Sequence, residues 1–325
     1  MRIMPLEKRG ISNSRVVYGC MGIGGEWNST PYSKEDYIIA EKAVEAALSI
    51  GITMFDHADI YKKGKSESIF GEILKKRPDL RDQIILQSKC GIRPGDGVLP
   101  TRFDFSKSHI ISSVDGILQR LGVEHLDILL LHRPDPLMEP EEIAEAFNQL
   151  RSAGKVRHFG VSNMSSAQIR FIQNSLPEPI VVNQLEMSLA RLDWLDQGIS
   201  VNQKAGLDTN FADGIMEHCQ MQDIQIQAWG PLANGKFSGS SLDDAPEIVR
   251  QTTALVQKLA DQYETKPESI VLGWLMKHPA RIQPVIGTSS AERIVACKDA
   301  VRIAESLTRE EWYTLYTSSR GKQMP

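Results

Sequence analysis

Eight short β-rich runs, separated by stretches with helical spacing, constrain this chain more than any other feature. The runs are VVYG (16–19), TMF (53–55), IILQS (84–88), DILLL (127–131), HFGV (158–161), IVVNQ (180–184), IQIQAW (224–229) and PVIG (284–287). Between them, apolar residues recur every three or four positions. Ile110, Val114, Ile117, Leu118 and Leu121 share one helix face ahead of Gly122, and Ile143, Ala146, Phe147 and Leu150 repeat the pattern ahead of Gly154. Ser165 and Gln168 have capping-box spacing before Ile169 and Ile172. Strand and helix in strict alternation require parallel strands, since a parallel pair needs a long crossover connection. Eight such units in 325 residues predict an α/β fold, a (β/α)8 TIM barrel forming a single domain over 1–325. The alternative is an open doubly wound sheet. Helical stretches near 246–263 and 308–318 exceed eight units and predict extra helices, and 192–208 reads as a long loop after the sixth run.

Charge and cysteine usage narrow the function classes. Lys and Arg number 37 against 41 Asp and Glu, a net charge of −4. That balance gives no basic surplus for nucleic acid or an anionic membrane surface. The longest purely aliphatic run, Ile128–Leu131, is far shorter than the roughly 20 residues of a membrane-spanning helix. The opening MRIMPLEKRG has no apolar stretch of leader type. Cys20, Cys90, Cys219 and Cys297 form no C-x-x-C pair, which predicts neither a structural zinc site nor a disulfide framework and fits a reducing cytoplasm.

Catalysis in this fold sits at the carboxyl ends of the strands. The residues that end the runs are therefore the candidates. They are Asp56, Lys89, His132, Ser162 with Asn163, Gln184, Trp229, and Gly287 with Thr288. Tyr61 follows Asp56 by five residues, in DHADIY, a loop long enough to fold back over the mouth. A phenol with a pKa near 10 is a weak acid at neutral pH, and an adjacent ammonium favours its phenolate. Asp56 would keep Lys89 charged in a partly dry pocket, and His132 would hydrogen-bond a carbonyl. Such a group protonates a developing alkoxide. Each residue alone also has a plain structural role: a packing tyrosine, a solvated lysine, a strand-capping histidine, a turn aspartate. A shared rim position is what sets them apart.

FDHADIY with SES after it (55–61, 66–68), QSKCGI (87–92), DILLLHRPDP (127–136), GKVRHFGVSN (154–163), NQLEMS (183–188), AWGPLANG (228–235) and PVIGTSSAER (284–293) resemble the aldo-keto reductase superfamily. The segments follow the family's order over nearly the whole chain, and their wording is most similar to its bacterial YdhF-type branch. The resemblance implies a (β/α)8 barrel that binds nicotinamide dinucleotide without a Rossmann domain. It implies a catalytic tetrad of Asp56, Tyr61, Lys89 and His132, with Tyr61 as general acid in carbonyl reduction. Ser162, Asn163 and Gln184 match the residues that hold the nicotinamide carboxamide, and Trp229 the aromatic that stacks on the ring. Further cofactor contacts are implied at Gly19, Cys20 and Met21, at Gly230, Pro231 and Leu232, and at Gly287, Thr288, Ser289 and Arg293. A helix beginning at about Ser289 would offer free N–H groups and Arg293 a fork of donors to a 2′-phosphate, so NADP(H) is expected ahead of NAD(H).

Departures are Gly287, where some members carry a phosphate-binding Lys; Cys297, where many carry Asn; and Cys20, where a small Thr is common. GCMGIGG (19–25) is not a G-x-G-x-x-G fingerprint and reads as an open turn at the mouth. A short loop over Arg133–Glu139 implies an open site and broad carbonyl specificity, with Met21, Trp27 and 93–105 as candidate pocket walls. The expected partner is a small-molecule carbonyl compound, with no metal, and the family's default is a monomer. The alternatives are a catalytically slow nicotinamide-binding regulatory protein on the same barrel and a Schiff-base lyase using Lys89, which Asp56 opposes. A metal site through His57, Asp59 and His132 lacks the usual H-x-H after the first run.

Overall fold

The computed structural model describes residues 3–325, so the first two residues of the expected 1–325 domain lie outside it. Eight strands close into a ring: β1 (Val17–Gly19), β2 (Met54–Asp56), β3 (Ile85–Cys90), β6 (Leu126–Leu131), β7 (Val156–Ser162), β8 (Ile180–Glu186), β9 (Gln225–Trp229) and β10 (Gln283–Ile286). A small antiparallel hairpin, β4 (Ile92–Arg93) with β5 (Arg102–Phe103), decorates the loop after β3. All the ring pairings are parallel, and β10 returns to β1 with Val17 opposite Val285. Each run in the sequence is one strand of this ring. Closure excludes the open doubly wound sheet.

Parallel strands covered by helices bury both faces. Val17, Met54, Ile128, Leu130, Val182 and Val285 fill the interior, and Leu6, from the helix Pro5–Lys8, joins them near the strand starts. Gly160 is required by this crowding. A Cβ there would stand 2.5 Å from Leu130 Cδ2 and 2.9 Å from the Val182 carbonyl oxygen. The outward faces pack against the helices in a second, larger cluster. In helix Lys107–Leu121 all five apolar residues of the predicted face are buried, Ser106 Oγ caps the start, and Gly122 at φ 65° ends it. Ser165 and Gln168 form the predicted capping box of Ser166–Gln173. The extra helices are present as Glu247–Gln262 and Arg309–Arg320.

One expectation is corrected. The segment 192–208 contains a helix, Asp193–Ile199, and a 3-10 turn, Lys204–Asp208. A seven-residue helix containing Gly198 has little stability of its own. Distant contacts order it: Trp194 is buried edge-on to Trp274, 5.8 Å between centroids, and Asp196 accepts hydrogen bonds from Arg320 Nε at 3.0 Å and from the Tyr316 hydroxyl. No helix among the described residues is long and apolar enough to cross a membrane.

Candidate active site

The strand ends deliver the candidate residues to one mouth. Asp56 closes β2, Ser162 closes β7 and Trp229 closes β9; Lys89 and Gln184 lie within the last residues of β3 and β8. His132 follows β6, its N–H donating to the Cys90 carbonyl at 2.9 Å. The register keeps them level: Gly19 pairs with Asp56, Ser162 with Gln184, and Trp229 with both Glu186 and Val285.

Lys89 is 1% exposed, and its ammonium donates to Asp56 Oδ2 at 2.6 Å and to the His57 carbonyl at 2.7 Å. Asp56, also 1% exposed, has its other oxygen occupied by Gln87 Nε2 at 2.6 Å. Lys89 Nζ lies 4.9 Å from the Tyr61 ring centroid, and the Tyr61 and His132 rings meet edge to face at 5.9 Å. The four side chains therefore converge as expected. Burial disfavours the Lys89 charge, but Asp56 and then the Tyr61 phenol more than offset it and hold the ammonium above the ordinary lysine value. Burial pushes the Tyr61 phenol up from its ordinary value, and Lys89 lowers it in part. This corrects the expectation of a net lowering: desolvation of the phenolate outweighs the ammonium. Burial, with Lys89 and Arg133, drives the His132 imidazole well below its ordinary value, so it is neutral at pH 7.

Beside this group lies a second set. Asn163, at φ 58°, donates from Nδ2 to Ser162 Oγ at 2.8 Å and accepts from Trp229 Nε1 at 3.1 Å. Ser162 Oγ donates to the Gln184 carbonyl at 3.0 Å. The four residues thus form one flat indole flanked by hydroxyl and amide groups. At the far side, Gly22 packs so closely on Gly287 that a Cβ on it would stand 2.8 Å from the Gly287 carbonyl oxygen, whereas a Cβ on Gly287 would meet nothing nearer than the Gly19 carbonyl oxygen at 4.0 Å. Tyr18 donates its hydroxyl proton to the Thr288 carbonyl at 3.2 Å. Gly230 turns the chain after β9 at φ 64°, leading through buried Pro231 and half-buried Leu232 to Gly235, whose missing side chain leaves room for Arg293. Arg293 is anchored on Glu268 at 3.3 Å and on the Ser238 carbonyl at 3.2 Å. Met21 is exposed, but Cys20 is wholly buried with its thiol toward the Tyr18 carbonyl. The helix expected at Ser289 begins instead at Ala291, because Ser290 is the residue whose hydroxyl caps it; it spans only Ala291–Val295.

Further residues complete the region, with Gln184 and His57 among them. A ladder of buried glutamines crosses the barrel: Gln227 Oε1 accepts from Gln87 at 2.8 Å and Gln184 at 3.0 Å, and Gln227 Nε2 donates to Gln283 Oε1 at 3.0 Å. The signal was present, since IILQS and IQIQAW place amides inside otherwise apolar strands. Glu67, wholly buried, accepts from Ser88 Oγ and Arg120 Nε, both at 2.7 Å. Lys62 and Lys63, directly after Tyr61, are left-handed at φ 50° and 59°. His57 is wholly buried with both ring nitrogens unpartnered, and burial takes it down to about 3. Among the described residues no group of His, Cys, Asp or Glu is arranged to hold a metal ion.

The family model for the aldo/keto reductase family matches residues 15–317, and the chain belongs to that family of oxidoreductases. It is 34% identical over 323 residues to the oxidoreductase YdhF of Escherichia coli, covering 98% of each chain, in keeping with the resemblance to that branch. It is also 34% identical to a 6-dehydroglucose reductase of Agrobacterium fabrum, covering 96% of each. An aldo/keto reductase of Klebsiella pneumoniae, solved in complex with NADP and acetate, shares the fold at a TM-score of 0.70 and 22% identity, over 93% of this chain and 89% of that one.

Proposed function

We propose that this chain reduces aldehyde or ketone carbonyls to alcohols with NADP(H) as its cofactor. The observation that carries the reading is the buried Lys89 ammonium, fixed on Asp56 at 2.6 Å and lying 4.9 Å from the Tyr61 ring centroid, with the His132 ring edge to face with Tyr61 at 5.9 Å. A planar indole among Ser162, Asn163 and Gln184 fits an aromatic ring bearing a carboxamide. Arg293, half-exposed beside Thr288 and Ser289, fits an adenosine phosphate, and the open space at Gly287 suits close passage of a ligand. These residues would hold the cofactor, with Gly19–Met21 and Gly230–Leu232 on its flanks; bound there, it supplies the hydride. The Klebsiella protein's NADP and the Agrobacterium protein's name as a reductase support the same direction. Arg293 favours NADP(H) over NAD(H).

The protein's own part is proton management. Neutral His132 keeps one ring N–H to donate to the substrate carbonyl oxygen. Tyr61, whose raised pKa keeps it protonated at neutral pH, gives its proton to the oxygen as negative charge develops there. Lys89 then stabilises the phenolate left behind, and Asp56 keeps Lys89 charged. In the reverse direction the phenolate is the base. An ammonium held this firmly is not the free amine a Schiff base requires, which argues against the lyase alternative. Four buried, unpaired thiols support residence in a reducing compartment, the cytoplasm, and the proposed working form is a monomer. Tyr61→Phe should abolish NADPH-driven aldehyde reduction, followed at the nicotinamide absorbance, while NADPH still quenches Trp fluorescence. Wild-type rates in that variant would refute the assignment.

A further inference from the structure

Two cations stand at the mouth with no acidic partner. Lys62 directly follows Tyr61, and Arg133 directly follows His132, the two rings that meet at 5.9 Å. Each cation lies over a tryptophan: Lys62 Nζ 5.3 Å from the centroid of Trp27, and the Arg133 guanidinium 5.9 Å from that of Trp229. Among the described residues no carboxylate comes within ion-pair distance of either. Asp36, one carboxylate that feels the charge of Lys62, is occupied by the N–H and hydroxyl of Ser33, both at 2.8 Å. Lys63 and Lys65 tie the Trp27 segment down, on Ser29 Oγ at 3.0 Å and on the Thr30 carbonyl at 2.8 Å.

The backbone adds an independent observation. Lys62 and Lys63 both occupy the left-handed region, which glycine adopts freely and a side-chain-bearing residue does not. Strain of this kind persists where the surroundings hold it, and it clusters at ligand clamps. Here it places a cation beside the proposed acid, in a chain whose net charge is −4. Arg133, next to His132, is exposed, and a guanidinium binds a carboxylate or phosphate edge with a two-pronged hydrogen bond.

We propose that this mouth selects carbonyl substrates that carry an anionic group, with Lys62 and Arg133 binding the anion while the carbonyl lies between Tyr61 and His132. The inference rests on the carbonyl-reductase reading and names its substrate class.

The test uses a matched pair, 4-carboxybenzaldehyde and its neutral methyl ester, with the wild-type chain, Lys62→Gly, Arg133→Gln and the double variant. Glycine accepts the Lys62 backbone without strain, so that variant should fold. The wild type should favour the acid over the ester in kcat/KM by about tenfold, in line with two partly exposed ion pairs. That ratio should fall stepwise toward one in the variants, and fall with added salt. If both aldehydes turn over at a ratio near one that the variants leave alone, the anion site is refuted and the reductase reading stands. If neither turns over, the reductase reading fails, and quenching of Trp fluorescence by the two aldehydes still decides the site. Acid-selective quenching lost in the variants supports it, and equal quenching overturns it. Weakened NADPH binding with an unchanged acid-to-ester ratio would assign the cations to the cofactor and also overturn it.

Discussion

Replacing Gln227 with methionine tests whether the glutamine ladder holds the two halves of the site together. Gln227 is wholly buried and joins three other buried glutamines. Methionine keeps the unbranched shape but neither accepts strongly nor donates. Gln87 retains its bond to Asp56 Oδ1 at 2.6 Å, whereas Gln184 Nε2 and Gln283 Oε1 lose the partners they have here. Each buried polar atom left unsatisfied costs about 1–3 kcal/mol, and burying one amide fewer returns a part, so the net loss should be about 2–4 kcal/mol. Unfolding entropy of about 2.1 cal/mol/K per residue, over 325 residues, comes to about 0.7 kcal/mol/K. The midpoint should therefore drop by about 3–6 °C, read by circular dichroism. Gln184, released from Gln227, should also bind the nicotinamide end less well, so NADPH affinity measured by Trp quenching should weaken. Gln227→Glu provides a check. A carboxylate still accepts from Gln87 and Gln184 but cannot donate to Gln283, whereas the protonated acid can, so its midpoint should recover on mild acidification relative to Gln227→Met. A Gln227→Met midpoint within 1 °C of wild type with unaltered NADPH affinity would refute the reasoning.

Two further outcomes follow from buried charge. Lys89→Met leaves the Asp56 carboxylate buried without its cation and should destabilise by about 3–5 kcal/mol in urea titrations, whereas adding Asp56→Asn should restore much of that loss; equal stabilities of the single and double variants would contradict the coupling. Burial, aided by Glu67, raises the Asp59 carboxyl to about 7, so the folded state holds a proton that the unfolded chain releases near 3.8, and this group weakens the fold as pH rises from about 4 to about 7. Asp59→Asn should raise the melting temperature at pH 8 and leave it nearly unchanged at pH 4, a gain of at most about 4 kcal/mol, and a pH-independent effect would refute it.

The barrel was legible because its strands are buried on both faces, so each appears as an apolar run, and because Ser165, Gly122 and Gly154 punctuate the helices with residues of defined backbone or capping chemistry. Asp56, Lys89 and His132 were legible as a group for a related reason: they end three successive apolar runs and so share one rim, although each alone has a plain structural role. What stayed hidden depends on distant contacts. Asp193–Ile199 is helical because Trp274 and Arg320 meet it from far along the chain. The direction of the Tyr61 shift depends on how completely the phenol is desolvated, which spacing does not reveal. The start of the helix before Arg293 turned on which of two adjacent serines turns its hydroxyl inward. The left-handed lysines read as ordinary surface charge until their backbone angles are known.

The seam between β1 and β10 joins the first and last strands of the ring, Val17 against Val285. During synthesis the ring has two raw edges until the last strand has left the ribosome, and exposed edges invite pairing with other chains. Whatever shelters the nascent barrel must therefore do so until β10 is made, and a product that stops before β10 would emerge as an open, adhesive ribbon rather than a smaller working barrel.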